Sequence, residues 1–310
     1  MVQPLLTIAI PTFNRAQLLG QCLRALLSQV SADLLPRIEL MVFDNCSADN
    51  TTDIVSSFVN RGHDIKYYRN QENIGADRNI ATCFLNAKGK YVWVFSDDDF
   101  LLPGYLKHIF DLLDSRDYGA VYLNGIWYTG DYNAVPNAVN HLNYEEFSSP
   151  LLYLQRVNFW ATFITGNIVN KSLFADCSYI SEFYDSNLVQ LSWILPAMFK
   201  GKPNLVVNDK VLACKEENTG GYKLMQVFGK NLNEVLDKLE SKKMVDSSAK
   251  RIINIYMLHT FFPMHIDKGG KSFSRENRFF ILLPVFWKYP SFWLKVVPML
   301  LKIKKRKLAV

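Results

Sequence analysis

Residues 91–103 read Tyr-Val-Trp-Val-Phe-Ser-Asp-Asp-Asp-Phe-Leu-Leu-Pro. The first half, rich in Val and aromatics, reads as a buried strand. It ends in three adjacent carboxylates, Asp97, Asp98 and Asp99. Three such charges repel one another unless a cation or hydrogen-bond donors offset them. Mg²⁺ and Mn²⁺ take oxygen ligands and are commonly held by one or two carboxylates plus substrate phosphates. The stretch therefore reads as a metal–diphosphate site at the carboxyl end of a sheet. The plainer alternative is an acidic turn capping a helix that starts near Pro103.

Two further segments repeat the pattern. Leu6–Ile10 is a short strand that runs into Pro11-Thr12-Phe13-Asn14-Arg15, and a helical spacing of Leu18, Leu19, Cys22, Leu23, Leu26 and Leu27 follows. Ile38–Phe43 is another strand, ending in Asp44 and Asn45, with Asp49 placed to start the next helix. The pattern predicts strands near 5–10, 37–43, 64–68, 90–95 and 119–123, and helices near 15–29, 50–60, 76–87 and 103–114. Such alternation implies an α/β fold, a mostly parallel sheet flanked by helices. In open α/β sheets, ligands bind at the carboxyl ends of the strands, where these polar residues collect. Residues 124–145 read as an irregular excursion. Beyond them the pattern predicts a helix over 146–157, a strand over 160–169 with a glycine break, a helix over 185–200, extended chain over 204–214, a Gly-Gly loop over 215–222, and helices over 223–262.

Pro11–Arg15, Asp44–Thr51, Asn73-Ile74-Gly75-Ala76-Asp77-Arg78-Asn79 and Asp97–Asp99 occur in the order and spacing of family 2 glycosyltransferases of the GT-A fold, which the first 105 or so residues resemble. The Asn-x-Gly-x-Asp-Arg-Asn variant is similar to the subgroup containing O-antigen abequosyltransferases. The resemblance implies a Rossmann-like GT-A domain that moves a sugar from a nucleotide-sugar donor to a saccharide acceptor by inverting transfer. It implies a donor site made of Pro11, Thr12, Phe13, Asn14, Arg15, Asp44, Asn73, Gly75, Arg78 and Asp97. It also implies a divalent cation, Mn²⁺ or Mg²⁺, on Asp98 and Asp99. Ser96 stands where the common Asp-x-Asp form has its first carboxylate, which leaves open which two carboxylates hold the metal. From the residues alone, Asp44, Thr12 and Asn14 suit a turn as well as a ligand, and Arg78 suits a solvated surface. A base that takes the acceptor's proton is also required. Asp185 is the first candidate and Glu182 the second, with a simple helix cap as the alternative for Asp185.

The division expected along the chain is a donor-binding half at 1–125, an acceptor and catalytic-base half of the same domain at 126–222, a helical region at 223–278, and a basic aromatic tail at 279–310. The composition, 49% hydrophobic and 14% aromatic, supplies a sizeable core and excludes a disordered chain. Five scattered cysteines with no Cys-x-x-Cys spacing point to a reducing compartment rather than a disulfide framework, and no signal peptide is read at the start. From Arg278 to the end there are eight basic residues and no acidic one; these exceed the chain's net +6, so the remainder carries net −2. Three prolines together with Lys288 and Lys295 argue against a membrane span. Trp, Tyr and clustered Lys/Arg suit a segment lying in the membrane plane. The expected setting is cytoplasmic, peripheral at the inner face of the cytoplasmic membrane, with a lipid-linked saccharide acceptor in bacterial surface-polysaccharide assembly and no nucleic-acid partner. The rival readings are a nucleotidyltransferase and a non-catalytic protein that binds nucleotide sugar. Against the first, this sequence has no Gly-rich, Lys-containing phosphate loop after the first strand.

Overall fold

Alternate residues of β1 (Leu6–Thr12) enter opposite cores: Leu6, Ile8 and Ile10 face one layer and Ala9 the other. β4 (Tyr91–Val94) behaves alike, with Tyr91 and Trp93 on the first side and Val92 and Val94 on the second. Such period-two burial on both faces requires a sheet covered by helices on each side. The computed structural model, which describes residues 3–130, 141–216, 223–267 and 277–301, has that form.

Besides β1 and β4 the sheet contains β2 (Ile38–Asp44), β3 (Ile65–Arg69), β5 (Phe100–Leu101), β6 (Ala120–Tyr128), β7 (Tyr144–Phe147), β8 (Asn167–Asn170) and β9 (Asn204–Lys215). Its order is β3-β2-β1-β4-β8-β6-β9-β5, with β7 also on β9. The four strands β3, β2, β1 and β4 are mutually parallel; β8 is antiparallel to its neighbours, and β6 and β9 run parallel to each other. One core layer lies under α1 (Ala16–Leu27), α2 (Thr51–Val59) and α4 (Tyr105–Ser115). The other lies under α3 (Ala76–Asn86), α5 (Pro150–Val157), α6 (Leu191–Met198) and the C-terminal helices α7 (Leu232–Ser241), α8 (Ser248–Tyr256), α9 (Phe262–Asp267) and α10 (Arg278–Phe286).

The nine strands and helices expected before residue 124 are present, with ends shifted by a few residues. The second half differs more. The expected helix at 146–157 opens as strand β7, and α5 begins only at Pro150, behind the Ser149 cap. The stretch 160–169 is mainly 3-10 turns, and pairing starts at Asn167. The expected helix at 185–200 begins at Leu191, after a 3-10 segment over Ser178–Phe183. Asp185 has φ 67° and Asn187 φ 57°, so left-handed backbone, not helix, carries the 185–189 segment. β6 continues to Tyr128 through what reads in sequence as an excursion. It does so beside β9 through register shifts at Asn124, with Gly125 closely approached: a Cβ there would lie 2.6 Å from Cys214 Sγ. Glu217–Tyr222, most of the Gly-Gly loop, lies outside the described residues.

The tail has two faces. Leu282, Phe286, Phe292 and Val296 are fully buried in the second core layer, and Tyr289 reaches Asn254 at 3.1 Å. The described part of the tail, 279–301, is therefore packed into the second core layer. Its other face shows Phe280, Trp287, Trp293, Leu294 and Leu301 to solvent. No helix among the described residues is long and apolar enough to cross a membrane.

Candidate functional site

The register of the first three strands sets Thr12, Asp44 and Arg69 in a row at their carboxyl ends. β4 stops one residue before Phe95 and delivers Ser96–Asp99 to the same edge. Four sequence-predicted segments meet there. Thr12 Oγ1 donates to Asp97 Oδ2 at 2.7 Å, and one guanidinium nitrogen of Arg15 donates to both Asp97 Oδ1 and Asp98 Oδ2 at 3.0 Å. Asn14, at φ 53°, links the first loop to the second: its amide donates to Ser47 Oγ and its side-chain oxygen accepts from the Ala48 amide. Pro11 lies at the end of β1, and Phe13 is exposed beside it.

All three aspartates of the turn are buried. Burial pushes Asp97 up to about 6; Asp98 adds to the rise and Arg15 opposes it. Burial pushes Asp99 up to about 7, reinforced by Asp98 and opposed by hydrogen bonds from Thr165 and the Lys215 amide. Those bonds are 2.5 Å to Oδ2 and 3.2 Å to Oδ1. Asp98 Oδ1 accepts from Ser96 Oγ at 2.5 Å, and Tyr128 holds the Asp98 carbonyl at 3.1 Å. Each of the six carboxylate oxygens thus accepts a hydrogen bond, and Arg15 supplies the positive group between Asp97 and Asp98. This donor set fits a hard cation that is also bound by phosphate oxygens, but not a closed protein cage. Among the described residues no three His, Cys, Asp or Glu side chains converge to make such a cage.

Asp44 is fully buried, accepting from the Ser47 amide at 2.8 Å and from Tyr67 Oη at 2.7 Å, with Arg69 Nε at 3.5 Å. Asn73 accepts from Asn45 Nδ2 at 2.7 Å and from the Gly75 amide at 2.9 Å, closing an Asx turn. Gly75 has φ 86° and open space where a Cβ would stand, so the chain enters α3 through backbone that only glycine adopts readily. Arg78 lies 5.1 Å over the ring of Tyr184, the residue before Asp185. The neighbouring Asp77 accepts from the Asn187 amide at 2.8 Å and from Ser186 Oγ at 3.4 Å, fastening α3 to the left-handed segment.

Asp185 is exposed, beside a cavity of about 150 Å³ between its segment and α7. Glu182 lines the same cavity and accepts from Lys242 Nζ at 2.8 Å. Thr165, Tyr128, Tyr67 and Arg69 are the site residues that sequence reading missed. Tyr67 and Arg69 share one side of β3, a parity that the sequence does carry; Thr165 has no local signal at all.

Matches include abequosyltransferase RfbV of Salmonella typhimurium, 34% identical over 113 residues (36% of this chain, 33% of that protein). A GalNAc(5)-diNAcBac-PP-undecaprenol beta-1,3-glucosyltransferase of Campylobacter jejuni is 35% identical over 105 residues (34% of this chain, 33% of that protein). The chain thus matches about a third of the length of these curated relatives. Among solved structures, S. aureus TarS 1-349 in complex with UDP has a TM-score of 0.60 at 18% identity, covering 88% of this chain and 74% of that one. The mannosyltransferase PcManGT of Pyrobaculum calidifontis, in complex with GDP-Man and Mn2+, has a TM-score of 0.54 at 13% identity, covering 99% and 88%. At these identities the structures establish a shared GT-A-type fold. The family model for glycosyl transferase family 2 matches residues 7–175, more than half of the chain and all four strand-end segments; the chain belongs to that family.

Proposed function

We infer that the protein transfers a sugar from a nucleotide-sugar donor to the hydroxyl of a saccharide acceptor, with inversion. The observation that carries this reading is the junction of Thr12 and Arg15 with Asp97 and Asp98 across the carboxyl ends of neighbouring strands. TarS has been crystallised with UDP-GlcNAc and PcManGT with GDP-Man and Mn2+, which supports a nucleotide sugar as donor and a divalent cation as cofactor. Pro11–Arg15, Asp44, Asn73, Gly75, Arg78 and Asp97 are assigned to the donor. Asp98, with Asp99, is assigned to hold Mn²⁺ or Mg²⁺, whose charge would stabilise the departing diphosphate. Arg15, which bridges two carboxylates, carries a planar fork of donors whose geometry suits a phosphate.

Asp185 is the base we assign, since it is exposed and stands on the segment that Arg78 and Asp77 fasten to the donor side. Glu182 is the weaker candidate, because Lys242 already engages it. The undecaprenol-linked substrate in the Campylobacter relative's name supports a lipid-linked acceptor and work on surface polysaccharide. The exposed aromatic face of the tail, with Lys288 and Lys295 and no acidic residue from 278 onward, supports peripheral docking on the inner face of the cytoplasmic membrane.

The test is a thermal-shift screen of UDP-, GDP- and CDP-sugars with and without Mn²⁺, followed by turnover of the labelled sugar that shifts the protein most. A cation-dependent shift followed by release of the nucleoside diphosphate is expected. A shift with no turnover on any saccharide acceptor would favour the non-catalytic reading.

A further inference from the structure

β6 carries an exposed tryptophan, Trp127, in a cluster of aromatic rings. Its ring lies 5.8 Å from that of Trp160 and 5.5 Å from that of Phe163, both only partly buried. Trp127 and Phe163 are tied to the carboxylate turn along the chain and across the ladder. Tyr128, the residue after Trp127, holds the Asp98 carbonyl. Thr165, two residues after Phe163, holds Asp99. Across the ladder Trp127 pairs with Cys214, next to Lys215, whose amide also holds Asp99.

We propose that Trp127, backed by Trp160 and Phe163, is the platform on which a pyranose ring of the acceptor stacks. This deepens the transfer reading above and rests on it. A pyranose presents a face of axial C–H groups that packs on an aromatic ring, while its equatorial hydroxyls stay in water. Such a ring needs apolar area rather than charge, and none of the three platform side chains carries a charge. Core packing does not account for Trp127: about half of it is exposed, whereas the core tryptophans Trp93 and Trp193 are buried. An exposed aromatic patch one or two residues along the chain from the side chains that hold Asp98 and Asp99 suits a ligand subsite beside that site. The alternative occupant, a prenyl chain, would be expected on the wider aromatic face of the tail, where Trp287 and Trp293 are joined by an indole hydrogen bond of 2.9 Å.

The test uses the full chain and saturation-transfer NMR with methyl glycosides of glucose, galactose, mannose, rhamnose and N-acetylglucosamine, with farnesyl phosphate as the lipid probe. At least one glycoside should receive saturation through its ring C–H protons. Trp127→Ala should weaken that signal at least about threefold and Trp127→Phe should keep most of it, as expected for a lost aromatic contact. Both variants should keep the midpoint shift given by the best nucleotide sugar, with Trp127→Ala lowering the ligand-free midpoint modestly through its lost ring contacts. No glycoside signal, a signal unchanged in Trp127→Ala, or farnesyl phosphate alone saturating through Trp127 would overturn the proposal. A missing nucleotide-sugar shift in the wild type would instead sink the donor reading and leave the glycoside result interpretable by itself.

Discussion

Asp98 is the residue on which the proposed donor chemistry turns, and its contribution is separable from stability. It raises the proton affinity of both Asp97 and Asp99 by repulsion. Asp98→Ala should therefore abolish the Mn²⁺-dependent donor shift while leaving the midpoint of the ligand-free protein unchanged or higher. A retained shift would move the cation elsewhere. The same burial makes the site pH-sensitive. Asp97 and Asp99 are raised to about 6 and about 7 from 3.8, so between about pH 4 and pH 7 the native state holds protons that the unfolded state has released. Their contribution to stability falls as pH rises through that window. Because other carboxylates act in the opposite sense, the informative quantity is a difference. The midpoint of Asp99→Asn relative to wild type, without divalent cation, should climb from pH 4 to pH 7.5; a flat difference would show that Asp99 ionises normally. Asp185→Asn should leave the donor shift near wild type and lower turnover by about 10²–10⁴, the usual weight of a general base. Unchanged turnover would pass the role to Glu182.

At the scale of elements, the contact between α3 and the 185–189 segment joins the first half of the chain to the second. Asp77 does this work from inside the Asn73–Asn79 motif, and burial raises its pKa although the Asn187 and Val189 amides oppose the rise. Asp77→Ala would leave two backbone donors without their acceptor, at a cost of about 1–3 kcal/mol in stability. It should also lower turnover more than donor affinity, because the left-handed backbone at Asp185 loses its anchor. Asp77→Asn keeps an acceptor oxygen and should recover much of both. Equal loss of donor affinity and turnover in Asp77→Ala would show instead that α3 itself had shifted. The elements whose own residues decide their conformation were legible in advance: β1, β2 and β4 through period-two burial, α1 through its leucine spacing. The 160–169 stretch was not, because Thr165 and Gly166 are held by Asp99 and by close packing of Phe163 rather than by local propensity.

For the whole molecule, the tail is the deciding region. Sequence reading makes residues 279–310 a basic aromatic tail suited to the membrane plane; in the fold, Leu282, Phe286, Phe292 and Val296 complete the second core layer. Deleting the tail should therefore lower the thermal midpoint sharply or unfold the protein, as expected when several fully buried side chains are lost at about 1.5–3 kcal/mol each. Membrane docking is better tested on the outer face. Trp287→Ala with Trp293→Ala should keep the fold and weaken binding to vesicles containing phosphatidylglycerol. High salt should weaken wild-type binding without ending it, since only the basic residues are screened. Binding unaffected by both indole substitutions would place the contact elsewhere.

What the chain determined by itself is the alternation of strands and helices, the two-sided core, and the polar residues at successive strand ends. Each of these is a local consequence of side-chain period and turn chemistry. Pro11–Arg15, Asp44 and Asp97–Asp99 fall at one edge because parallel strands in register must end together. Tertiary structure alone decided three things. It set Arg15 between Asp97 and Asp98, it brought Thr165 and the Lys215 amide onto Asp99, and it turned one face of the tail into core. All three join residues dozens of positions apart. No local pattern encodes such pairs, because they follow from where β8 and β9 enter the sheet and from which apolar surface was left for the last helices to cover.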